Sequence, residues 1–239
     1  MGRAFEFRKE RKMKRWAGMA KAFTRIGREI SMSVKEGGGN PDNNPRLRMA
    51  MNNAKAANMP KTNVENAIKK ATEKDSTNYD EIVYEGYGPH GIAILVETAT
   101  DNGTRTVAHI RHAFSKNGGQ MGTNGSVDYM FTRVGQFKIE DGGQDLEELE
   151  LELIDAGLEE VAKDEDGMIV FTCGFTDFGN FGTALEAQGL EAKSAELVRL
   201  PQSLKALSDE QAEEVIKLID ILEEDDDVVN VFHTMDEGE

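Results

Sequence analysis

The sequence predicts an α+β multidomain protein, an N-terminal all-helical domain followed by two α/β sandwich domains of ferredoxin-like, split βαβ character, the third inserted into the second. Three observations predict it. Apolar residues recur at helical spacing through the first 75 residues, strand-like runs alternate with helices from Tyr79 onward, and the last helix and strand are the elements that the first β-rich unit lacks. At 239 residues the chain can hold more than one core. The expected division is a basic arm and helical domain over 1–77, a discontinuous α/β domain over 78–133 and 204–239, and an inserted ferredoxin-like domain over 134–203.

Trp16, Met19, Ala20, Phe23, Ile26, Ile30 and Val34 form one apolar face of an amphipathic helix that Gly37, Gly38 and Gly39 end. Asn44 caps the next helix and Pro45 takes its first position, where a missing N–H is harmless. After Pro60, Thr62 to Glu65 reads as a capping box, followed by Val64, Ala67, Ile68 and Ala71 as a small apolar face.

Ile92 to Val96 is a continuous apolar run, expected as a strand buried on both faces. Asp101 or Asn102 caps a helix with Val107, Ile110 and Phe114 inward, Asn117 and Gly118 stop it, and Val127 to Phe131 is expected as the next strand. The following unit reads as strand near Phe137 to Ile139, acidic helix from Leu146 to Ala156, strands near Leu158 to Val161 and Met168 to Phe171, helix near Phe178 to Ala187, and strand near Ala192 to Leu200. That order, β-α-β-β-α-β, is the split βαβ of ferredoxin-like domains. A helix from Ser208 to Leu222 and a strand from Val228 to Phe232 complete the earlier unit.

The net charge of −16 conceals two halves. Up to Asp75 there are 18 Lys and Arg against 8 Asp and Glu; the remainder carries 10 against 36. Screening within about 8 Å lets a basic segment attract phosphate beside an acidic body. Lys14, Lys21, Arg25, Arg28 and Lys35 are separated by multiples of roughly one turn, opposite the apolar face, with Glu29 the acidic interruption. This basic stripe is the first candidate for phosphate binding, extended by Arg15, Arg46 and Arg48. Trp16 fits either a core position or stacking on a base.

Other patterns carry less chemistry. Gly86 to Gly91 matches GxGxxG, but a strand follows and Pro89 interrupts, so no dinucleotide site is expected. Gly118 to Gly125 runs from helix toward strand; it reads as a turn, or as an anion-binding nest whose phosphate Arg105, Arg111, His112 and Lys116 would share. His90, His109, His112 and His233 lack metal spacing, and the acidic run from Glu223 to Asp227 lacks the spaced ligands of a calcium loop, so it reads as a solvated edge. Cys173, the single cysteine, forms no intramolecular disulfide and has no histidine nearby in sequence, which fits a reducing, cytoplasmic setting. With no apolar run near the roughly 18 residues of a membrane span and no apolar secretory centre, neither insertion nor export is expected. No catalytic residues, metal or cofactor are expected.

Three stretches carry a family resemblance: TRIGREI from Thr24, PRLRMAMNNAKAANMPKTNVENAIKKA from Pro45, and YEGYGPHGIAILVETATDNGTRTVAHIRHAFSKNGGQMGTNGSVDYMF from Tyr84. They resemble the YebC/PmpR family, which includes a mitochondrial translational activator. The resemblance implies three domains and a non-enzymatic nucleic-acid binder. Bacterial members are described as DNA-binding transcriptional regulators, and others as ribosome-associated factors that help translation through difficult sequences. It also implies that the basic N-terminal segment, the TDNGTRT region with Arg105 and Thr106, and GGQMGTNG matter most. The family opens on a motif like AGHSKW, whereas this chain opens MGRAFEFRKERKMKRW and retains Trp16. The expected function is a DNA-binding transcriptional regulator; the alternatives are a ribosomal-RNA-binding translation factor and a module whose acidic domains bind a basic protein.

Overall fold

A computed structural model describes residues 3–73 and 75–236, with backbone alone for residues 3–18. The helical part consists of α1 (Arg3–Gly37), α2 (Pro45–Ala56) and α3 (Lys61–Thr72). Ile30, Val34, Leu47, Ala50, Ala54, Val64 and Ala71 form its core. Helix α1 ends where Gly38 adopts φ +83°, a conformation natural to glycine. The Asn44 side chain accepts from Leu47 N and opens α2, with Pro45 in the first turn. The expected capping box at Thr62 does not form, because α3 starts two residues earlier: Pro60 is its N-cap, makes no side-chain cap bond, and leaves Thr62 inside the first turn.

Next come β1 (Asp80–Tyr87), β2 (Ala93–Thr100), α4 (Gly103–Lys116) and the two-residue β3 (Gln120–Met121). The second group is β4 (Phe131–Ile139), α5 (Leu146–Leu153), β5 (Leu158–Lys163), β6 (Ile169–Gly174), α6 (Phe178–Ala187) and β7 (Ser194–Pro201), and the chain finishes with α7 (Asp209–Glu224) and β8 (Val228–His233). Two four-stranded sheets result, ordered β3-β1-β2-β8 and β5-β6-β4-β7, with every neighbouring pair antiparallel. The last strand thus completes the first sheet, pairing Ile94 with His233 and Leu95 with Phe232. The second sheet has the strand order of a split βαβ repeat.

Strand β2 is buried on both faces. Ile92, Ile94 and Val96 pack with Ile110 and Phe114 of α4 and Val215, Leu218 and Leu222 of α7, while Ala93 and Leu95 meet Val127 and Phe131. The expected strand over Val127 to Phe131 is instead a 3₁₀ turn, Asp128–Met130, leading into β4. Val127 and Phe131 plug the rear face of the first sheet, and of the expected span Phe131 alone enters a strand, opening β4. Accordingly, the expected boundary at residue 133 falls inside β4.

The helical part touches both sheets. Asn53 on α2 donates from Nδ2 to Ala195 O and accepts from Ala195 N, both at 2.9 Å, which covers the edge strand β7. Among the described residues, no helix is long and apolar enough to cross a membrane.

Candidate nucleic-acid interface

The basic face of α1 is turned toward the protein. Lys21 Nζ donates to Glu223 O at 3.3 Å, Arg25 Nε to Val228 O at 3.1 Å, and Arg28 Nη1 to Ala99 O at 2.5 Å. Lys35 Nζ meets Ser76 O, Thr77 O and the Asn78 side chain. Glu223 lies in the last turn of α7, where unpaired carbonyls and the negative end of the helix dipole attract a cation. The stripe expected to face phosphate therefore serves, from Lys21 to Lys35, as a strap across the first sheet. Backbone carbonyls supply the negative charge density that a phosphate would have supplied. Lys14, Arg15 and Trp16 lie outside the residues whose side chains are described.

At the strap's centre is Asp227, with its side chain 4% exposed. Its Oδ1 receives Arg28 Nη1 at 3.0 Å, while Oδ2 receives Arg105 Nη2 at 2.6 Å, Thr106 Oγ1 at 2.7 Å and Thr100 Oγ1 at 3.0 Å. Burial opposes its charge, but the hydrogen bonds from Arg105, Thr106 and Thr100 outweigh burial and hold its pKa below the usual carboxylate range. The acidic run from Glu223 to Asp227 is thus no solvated edge at its last residue. Arg105 and Thr106, implicated by resemblance, are drawn into this internal network; Arg105 also meets Asp101 at 2.9 Å.

Arg46 and Arg48 are engaged as well. Arg46 pairs with Glu29, Glu36 and Glu81 at 2.8, 2.8 and 2.5 Å. Arg48 donates to Pro41 O and Asp42 O and lies 3.7 Å from Glu186.

The glycine-rich loop does form a nest, and the protein fills it. The Glu85 carboxylate accepts from Gly125 N at 2.6 Å, Val127 N at 2.7 Å and Asp128 N at 2.9 Å. Burial raises the pKa of Glu85, but these amides and the charge of Arg199 outweigh burial and lower it. A shared phosphate is not arranged here: Arg105 and Lys116 stand at opposite ends of α4, about 16 Å apart along its axis.

Arg111 and Lys116 remain exposed, with no ion pair among the described residues. Lys116 lines a cleft of about 430 Å³ with His90, Asn117, Glu214 and Lys217. The sequence did carry a signal for Lys217, since it is the single cation in the otherwise acidic α7. His90 itself has φ +58° and bonds Glu214 at 2.9 Å, so GYGPHG builds a tight turn beside that cleft. Among the described residues no group of three His, Cys, Asp or Glu is arranged to hold a metal ion. Cys173 is buried in β6, and burial, followed by Asp177 and Glu159, pushes its thiol pKa up to about 12.

Comparison with known proteins covers nearly the whole chain. A family model described as the TACO1/YebC protein N-terminal domain matches residues 3–74, and one for the TACO1/YebC second and third domain matches 79–235. A probable transcriptional regulatory protein of Flavobacterium psychrophilum is 60% identical over 240 residues, covering 99% of this chain and all of that one. A protein of Parabacteroides distasonis with the same description is 54% identical, covering 100% of this chain and 98% of its own. The crystal structure of a conserved hypothetical protein from Aquifex aeolicus aligns with a TM-score of 0.78 at 37% identity, covering 91% and 90% of the two chains.

Proposed function

The chain belongs to the TACO1/YebC family, and from that premise we propose that it is a non-enzymatic, nucleic-acid-binding regulator of gene expression, acting on DNA as a transcriptional regulator. The relatives' description as probable transcriptional regulatory proteins supports the regulatory role. The observation that carries nucleic-acid binding is the division of labour along α1. From Lys21 to Lys35 its cations are satisfied internally. The same helix continues back to Arg3, and residues 3–15 hold seven Lys and Arg against Glu6 and Glu10. These seven, with Arg111, Lys116 and Lys217 on the body, are the phosphate contacts in this reading. The three-part division of the chain belongs to it too: a helical arm carries charge, the first sheet unit holds α1, and the second meets α2.

The test has two arms. Binding of a fluorescein-labelled DNA duplex is followed by anisotropy between about 50 and 200 mM salt, where log affinity should fall by about 0.9 per log salt for each phosphate neutralised. Replacing the seven cations of residues 3–15 by Gln should flatten that slope; an unchanged slope overturns the assignment. Ultraviolet crosslinking in living cells, with attached DNA and RNA sequenced in parallel, then separates promoter binding from binding at one ribosomal RNA position.

A further inference from the structure

One window of the acidic body is not acidic. From Phe114 to Ile139, Asp128 is the sole carboxylate, beside the cations Lys116, Arg133 and Lys138. Asp128 is itself paired, Arg199 Nη1 lying 2.6 Å from its Oδ1. The nearby Glu85 carboxylate is buried under three backbone amides. Within this stretch no carboxylate stands unpaired, while Asp177 and Glu159 lie beside Gly174, next to Phe175, and Lys138 is paired with Asp164.

Two large rings stand in this window. Tyr129, in the turn before β4, is 67% exposed, and Tyr87, the last residue of β1, is 37% exposed. The Tyr87 hydroxyl is tied inward, Oη donating to Ser126 O at 3.3 Å, and its pKa is raised first by burial and then by the neighbouring Tyr129 phenol. The polar end of the Tyr87 ring is therefore satisfied, and the two exposed rings offer carbon surface. Glu85 anchors the loop carrying Tyr129 through Gly125, Val127 and Asp128, so that surface is held in place before any ligand arrives. Four residues beyond Tyr129, the Arg133 guanidinium lies 4.1 Å from the centroid of the half-exposed Phe175 ring, a further planar surface bearing positive charge.

Flat, fixed aromatic surface beside cations is what unpaired bases stack on, whereas duplex bases hide their faces in their own stack. We propose that Tyr87 and Tyr129, with Arg133 over Phe175, form a stacking platform for unpaired bases of single-stranded nucleic acid. It rests on the nucleic-acid reading above and assigns the glycine-rich loop a role other than phosphate binding, as the rigid mount of the platform.

The probes are fluorescein-labelled 12-nucleotide single strands, one RNA and one DNA of the same sequence, and the corresponding duplex, titrated by anisotropy with the full chain. Tyr87→Leu/Tyr129→Leu keeps apolar bulk and removes planarity; roughly 10-fold loss of single-strand affinity for each ring that stacks, with duplex affinity unchanged, is expected. Tyr87→Phe/Tyr129→Phe keeps the rings and should retain single-strand affinity within about 3-fold. Equal loss in the Leu and Phe variants overturns stacking and assigns the hydroxyls a structural role. Unchanged binding in the Leu variant overturns the platform and leaves the nucleic-acid reading intact. Absence of binding to every probe by the unaltered chain overturns both. A larger loss with RNA than with DNA identifies the RNA strand as the source of the bases.

Discussion

The guanidinium of Arg28 sits 3.0 Å from the carboxylate of Asp227, joining residues 199 positions apart in sequence. That contact joins those of Lys21 and Arg25 in docking α1 on the first sheet. Asp227 holds Arg28 with one oxygen and Arg105 with the other, so α1 and the start of α4 are fixed against the turn between α7 and β8 by one buried carboxylate.

Asp227→Ala should leave the poorly exposed Arg28 without its counter-charge and the Thr100 and Thr106 hydroxyls without their acceptor. Removing one partner of a buried ion pair costs about 3–5 kcal/mol. Urea denaturation should show a lower midpoint, and amide exchange in residues 19–35 should accelerate as the strap loosens.

Acid should act through the same group. The folded-state pKa of Asp227 lies below its unfolded value, so its contribution is fully present above the ordinary carboxylate range and is lost as pH falls through the lower folded value. Urea midpoints measured across the acid range should fall more steeply for the unaltered chain than for Asp227→Asn, and parallel curves would contradict this assignment.

Cations with and without internal partners should separate in mutagenesis. Arg28→Ala should lower stability. By contrast, Arg111→Ala/Lys116→Ala should leave the urea midpoint unchanged and flatten the salt dependence of duplex binding by up to about two units of slope. The reverse pattern would return the strap to the role of a phosphate-binding stripe.

Glu85→Gln should weaken the glycine-rich loop, because a neutral amide oxygen replaces a carboxylate that accepts from three backbone N–H groups. A stability loss of about 2–3 kcal/mol is expected, since hydrogen bonds to charged acceptors are the stronger kind. Hydrogen exchange should report it locally, at the amides of Gly125, Val127 and Asp128.

Cys173 should resist alkylation in the folded protein. It is fully buried and its thiol stays protonated at neutral pH, so iodoacetamide labelling should follow unfolding and reach completion in denaturant.

Much of this architecture was legible in the sequence because it rests on local signals. Asn44 and Pro45 start α2 as their chemistry demands, the apolar run after Gly91 is the doubly buried strand, and Phe178 to Ala187 is helical over the expected span. The candidate interface was less legible for a physical reason. A basic helix face looks the same in sequence whether it meets phosphate oxygens or backbone carbonyls, and the acceptors for Lys21, Arg25 and Arg28 come from residues 99 and 223–228. A similar ambiguity hid Glu85: a nest of amides reads as an anion site, but nothing local reveals that the anion is a side chain 40 residues earlier. Val127 to Phe131 misled because a plug and a strand have the same apolar content.

The pairing of β8 with β2 sets a timetable for the nascent chain. The second sheet, from β4 to β7, is contiguous and can close before β8 is made; the first sheet cannot acquire its outer strand, nor α1 its Asp227 anchor, until the segment from Asp227 through β8 has emerged. Until then the newly made helix α1 can pack on α2 and α3 but lacks its contacts with Glu223, Asp227 and Val228. A chain cut short before β8 would keep its middle unit while leaving β2 as an open, apolar edge, the kind of surface on which aggregation starts.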